Sequence, residues 1–140
     1  MPPVSVTELL ASTHPAPSTP DDLAAVAVVS VRFALQHPAL FRAKYAEPCD
    51  PTSEERVAAT AVMSAYVQGI VRDAFPGAVD AGALSTTVWA LVHGLAFLHL
   101  DGKLDTSTPE VVADQVRAAV HALFTAFPAM SQAAAAPPSR

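Results

Sequence analysis

Few residues in this chain have the types and spacing that chemistry requires. Of its five histidines, His93 and His99 stand six positions apart, on different faces of any helix, while His37 and His121 are isolated. No histidine pair has metal-ligand spacing and the acids do not cluster with them, so neither a metal nor another cofactor is expected. The single cysteine, Cys49, follows Pro48 between Glu47 and Asp50. Acidic neighbours disfavour the thiolate, which argues against a redox role. There is no nucleophile elbow, phosphate-cradling glycine loop or pair of carboxylates on an apolar face, so catalysis has no candidate constellation. What remains is aromatic. Trp89 is the only tryptophan, and His93 follows it by one helical turn. Aromatic walls with few polar groups make ligand cavities, although bundles also use large rings as core fillers. His93 could hydrogen-bond a ligand or titrate near neutral pH. The commoner use of such a histidine is in the core, bonded to a backbone carbonyl.

The elements that must position these residues are helices. Thr19-Pro20-Asp21-Asp22 has the marks of a helix start: a capping hydroxyl, proline at the first helical position and acids in the first turn. That helix should run to about Gln36, where His37-Pro38 interrupts it. Its centre is β-branched enough for a strand, but the cap and length favour helix. A short helix from Pro38 to about Ala46 follows. Thr52-Ser53-Glu54-Glu55 has the pattern of a capping box for a third helix, which Phe75-Pro76-Gly77 stops. A fourth spans about Asp80 to Leu100, ending at Asp101-Gly102, and a fifth starts at Ser107-Thr108-Pro109-Glu110 and reaches about Phe127, before Pro128. Residues 1–19 read as a linker or short helix, 20–128 as one domain and 129–140 as a disordered tail. No alternating strand pattern occurs, so the expected fold is an all-α bundle of five to six helices.

Composition sets the outer limits. The chain has 140 residues, 51% hydrophobic and 15% charged, which suffices for one cored domain without staples. A net charge of -5 and scattered basic residues leave no footprint for nucleic-acid backbones. Met1 to Ser5 has neither a basic nor an apolar signal region, so no signal peptide is expected, and the apolar-rich stretch from Val88 to Leu100 is too short for a membrane span, so a cytoplasmic protein without membrane contact is expected. The bias toward Ala, Val and Pro is that of a GC-rich bacterial genome.

Two apolar stripes point to self-association. Leu84, Val88, Leu91, Leu95 and Leu98 recur at spacings of four and three, like a coiled-coil seam. The other side of the same helix carries Trp89, Val92, Phe97 and Leu100, so it is apolar all round. Val116, Val120 and Leu123 lie on the stripe of the last helix. Pairing of these two helices with a second copy is the simplest isologous way to cover them, and these eight seam and stripe residues are the expected interface.

Two segments carry a family resemblance. Phe33-Ala34-Leu35-Gln36-His37-Pro38-Ala39-Leu40-Phe41-Arg42 resembles the point where the first long ligand-domain helix of TetR-family transcriptional regulators breaks. Trp89-Ala90-Leu91-Val92-His93-Gly94-Leu95-Ala96 resembles the signature of the subgroup named for its Trp-His-Gly (WHG) pattern. The resemblance implies a C-terminal domain that dimerises through its last two long helices and binds a small, often apolar effector. The family's helix-turn-helix has no counterpart in these residues, so DNA would be reached only through a domain absent from this chain. Phe33, Phe41, Tyr45, Met63, Tyr66, Trp89, His93 and Phe97 are the pocket candidates. Ala58, Ala61, Ala65 and Gly69 on the third helix, and Ala90 and Gly94 on the fourth, could let helices approach closely or leave a cavity open. The alternative is a truncated interaction module that heterodimerises with a full-length relative; an enzyme on a helical scaffold has the least support.

Overall fold

The computed structural model describes residues 18–135, and among these every regular element is a helix: α1 Pro20–Gln36, α2 Pro38–Tyr45, α3 Glu54–Ala74, α4 Ala81–Leu100 and α5 Pro109–Ala135. The fold is all-α, as the sequence indicates. The expected short helix and linker before Ser18 lie outside the described residues.

Local chemistry sets the boundaries. Thr19 Oγ1 accepts from the Asp22 amide at 3.1 Å and the Asp22 carboxylate accepts from the Thr19 amide at 3.1 Å, a reciprocal capping box. Pro38 restricts His37, which leaves helical geometry at φ -131° and ψ 61°, and α2 turns away from α1 by 110°. The start of α3 differs from the expected one. Its cap is Ser53, whose hydroxyl accepts from the Arg56 amide at 3.4 Å. Thr52 instead donates its amide and hydroxyl to Asp50, at 2.9 and 2.7 Å. An Asx turn therefore competes successfully for the residue that the pattern assigned to the cap. Asp80 caps α4, and Thr108 accepts from the Val111 amide at 3.1 Å to start α5. The last helix passes through Pro128 to Ala135, beyond the end expected at Phe127. Proline leaves one carbonyl unbonded there, but the alanines that follow are the best helix formers.

α1 is the central element. Eight of its residues are buried, among them Ala27, Val31 and Ala34 with no exposed surface, because it packs against α4 on one side and α5 on the other. This arrangement corrects the expected interface. Leu84, Val88 and Leu95 are 8%, 3% and 6% exposed inside their own chain, and Val116 and Val120 are 0% and 1%. α1, read as one helix among several, takes up both stripes. The buried face of α4 is centred nearer Leu95 and His99, leaving Leu91 half-buried at its edge and Leu98 41% exposed; Leu123 on α5 is also half-buried. Of the two outcomes that small residues permit, close approach within the chain does not occur at Gly94 or Gly69, where an added Cβ would meet nothing within 4 Å. Ala58, Ala61 and Ala65 are exposed, so they narrow no contact within the chain.

At 20 residues, α4 as a whole has the length of a membrane span, which its second half alone does not. Within the chain part of its apolar surface packs on α1 and α3, and the rest is uncovered. An Arg42–Asp101 ion pair of 2.6 Å ties α2 to the end of α4; both side chains are half-exposed, and such a pair contributes at most about 1 kcal/mol.

α4 ends with Gly102 at φ 70° and the Lys103 amide donating back to the Leu98 carbonyl at 2.9 Å. A Cβ at Gly102 meets no neighbour, so its cost is the left-handed backbone alone. Gly102→Ala should lower unfolding free energy by about 1–2 kcal/mol, measured by urea denaturation.

Candidate ligand-binding site

The face of α1 that carries Leu23, Val26 and Ser30 does not close fully on its neighbours. Together with α2, α3 and α4 it borders a recess of about 60 Å³. Phe41 and Tyr45 reach it from α2, Met63, Tyr66, Val67 and Ile70 from α3, and Val88, Trp89, Val92, His93 and Ala96 from α4. A groove of about 860 Å³ adjoins it, between α2, the 46–53 loop and the first half of α3. Tyr45, Met63, Trp89 and His93 border both spaces. The groove exists because α3 leaves the body. Glu54 to Val62 are all exposed, and α3 becomes buried only at Val67, Ile70 and Val71.

Six of the eight pocket candidates from the sequence therefore line the recess: Phe41, Tyr45, Met63, Tyr66, Trp89 and His93. The other two do not. Phe33, 4% exposed, is one turn past Ser30 and faces the His37 ring at 4.9 Å. Phe97 stands behind the wall, 5.3 Å from the Phe41 ring and 4.9 Å from His93. These rings hold the wall in place, with Tyr45 edge-on to His93 at 5.8 Å and tilted on Phe41 at 4.7 Å. Val88, expected at an interface between copies, faces the recess instead. Leu23, Val26 and Ser30 on α1 were not anticipated. Ser30, a polar residue amid valines, was the available signal; its hydroxyl donates to the Val26 carbonyl at 3.0 Å.

The polar groups of the recess are neutral. Burial lifts the Tyr45 phenol to about 12 and raises that of Tyr66. Burial also lowers the pKa of His93, favouring the uncharged imidazole. The Tyr66 hydroxyl is sealed from solvent and has no hydrogen-bond partner, and neither Tyr45 nor His93 has a polar partner among the described residues. The core histidine bonded to a carbonyl is His99 rather than His93. It is 1% exposed, with Nδ1 2.7 Å from the Leu95 carbonyl. No Asp, Glu, Lys or Arg lines the recess, so what it offers is apolar surface with uncharged hydrogen-bonding groups. Among the described residues, no three His, Cys, Asp or Glu side chains are placed to hold a metal.

A helical domain with an apolar recess between its long helices and a groove leading from it has the architecture of a small-molecule-binding domain. The family model described as tetracyclin repressor-like, C-terminal domain matches residues 23–134, and the chain belongs to that family. Neither a curated protein nor a solved structure matches the chain. TetR-like C-terminal domains are typically the effector-binding and dimerising parts of regulators.

The His93 shift sets a pH dependence. The folded chain favours neutral His93, whereas the unfolded side chain titrates near 6.5. Below that value the unfolded state binds more protons, so this contribution to stability is present at higher pH and lost as pH falls through 6.5. Urea melts from pH 8 to 5 should show wild type losing more stability than His93→Gln on acidification. A constant difference between the two across that range would contradict the assignment.

Proposed function

We propose that this chain is the effector-sensing and dimerisation domain of a cytoplasmic TetR-like transcriptional regulator, and that it binds a small apolar or amphipathic molecule between α1, α3 and α4. The observation that carries this reading is the uncharged recess joined to a wide groove, in a domain of this family. Binding DNA is left to a helix-turn-helix domain, in keeping with the net charge of -5 on this chain.

The homodimer would use the faces that α1 leaves uncovered. On α4 these carry Ala83, Thr87, Ala90, Leu91, Gly94 and Leu98; on α5, Val111, Ala118 and Ala122. Small residues on both helices permit close approach of a second copy, and the open space at Gly94 would receive its side chains. Covering the apolar α4 in this way also accounts for its hydropathy without a membrane.

Light scattering should give about twice the 14.5 kDa chain mass. Gly94→Leu should dissociate the dimer yet leave the monomer folded, because within the chain a Cβ at Gly94 meets nothing within 4 Å and glycine is a poor helix former. Leu98→Glu should do the same, whereas Leu95→Glu, placing a charge in the core, should unfold the chain. A panel of hydrophobic compounds should raise the melting temperature through linkage. A monomer at micromolar concentration, or no compound raising the melting temperature, would overturn the corresponding half of this reading.

A further inference from the structure

The recess and the groove differ in kind, and the difference bears on what could occupy them. At about 60 Å³ the recess holds roughly two water-sized volumes, too little for a whole effector. The groove, at about 860 Å³, has the size of a drug-like site. Tyr45 and His93 stand between them and Tyr66 lines the recess alone; none of the three has a hydrogen-bond partner among the described residues. The Tyr66 hydroxyl is the most costly of these to leave unpaired, since it is sealed from solvent and meets no protein acceptor. It sits where α3 passes from exposed to buried, and because it is sealed a guest oxygen meets it only if that turn shifts.

We infer that the effector is an uncharged amphiphile bearing a hydrogen-bonding oxygen, with that oxygen at the recess, accepting from the Tyr66 hydroxyl, and its apolar chain in the groove. This rests on the sensor reading above and narrows it to a ligand chemistry. A carboxylate or ammonium at the depth of Tyr66 would be desolvated with no opposite charge to meet it. Farther out the groove carries Lys44 and Arg56 against Glu47 and Glu55, so it favours neither sign, and the Arg56 guanidinium already donates to the Pro48 carbonyl at 3.5 Å. An amide, ester or alcohol oxygen suits all three neutral partners: Tyr66 and Tyr45 donate, and His93 can donate or accept.

The test uses three probes of one chain length, octanamide, octanoate and octylammonium, titrated into the full chain with Trp89 emission as the readout. Octanamide should bind at least tenfold tighter than either ion. Tyr66→Phe removes only the unpartnered hydroxyl, so its melting temperature should be unchanged or higher while the preference for the amide shrinks severalfold. An ion binding as tightly as the amide, or a preference untouched by Tyr66→Phe, overturns the inference but leaves the sensor reading standing. If none of the three perturbs Trp89 or the melting temperature, the inference and the sensor reading fail together.

Discussion

α1 lies between α4 and α5, and the other features follow from how it is buried there. Ala27, Val31 and Ala34 have no exposed surface, so this helix is covered on both sides by its own chain. Small and β-branched residues make the two contacts close, and dense packing of that kind leaves little freedom to slide or rotate. Fixing α1 fixes the rotation of α4, which must turn Leu84, Val88 and Leu95 inward. That rotation in turn carries Trp89 and His93 to the α3 side and leaves the face with Gly94 and Leu98 uncovered.

The recess arises where this packing runs out. Leu23, Val26 and Ser30 continue the buried side of α1 toward α3, but α3 reaches the body only from about Val67 onward. Short side chains on α1 and rigid rings on α2 and α4 cannot fill the space between them. Phe41, Tyr45, His93 and Phe97 brace one another at ring separations of 4.7 to 6.3 Å, so the wall does not collapse inward. Site and surface are thus two consequences of one helix orientation.

Much of this was legible in the residues. Caps, prolines and the Asp101-Gly102 stop are local signals, and they located the helices to within a few positions, except where Asp50 captured Thr52 and where α5 passed Pro128. The aromatic and sulfur-containing wall was also legible, because large adaptable or ring side chains near a Trp-His turn are unusual in an alanine-rich chain. Helix rotation was not. A helix apolar all round, such as α4, carries no periodic mark of which stripe meets its own chain, so the leucine seam was placed on a partner when α1 covers most of it. That the carbonyl-bonded core histidine is His99 and not His93 has the same origin. The α1 side of the recess was hidden for a different reason: aliphatic residues beside a cavity are of the same types as those in a packed core.

The central claim is that the space between α1, α3 and α4 admits a small molecule, and methyl NMR tests it residue by residue. With ¹³C-labelled Met, Val and Leu methyl groups, saturating octanamide should shift Met63, Val26, Val67 and Val88 directly, with smaller changes at Leu91 and Leu98. Shifts confined to Leu91 and Leu98, with Met63 and Val26 unmoved, would place the compound on the outer face of α4 and contradict the account.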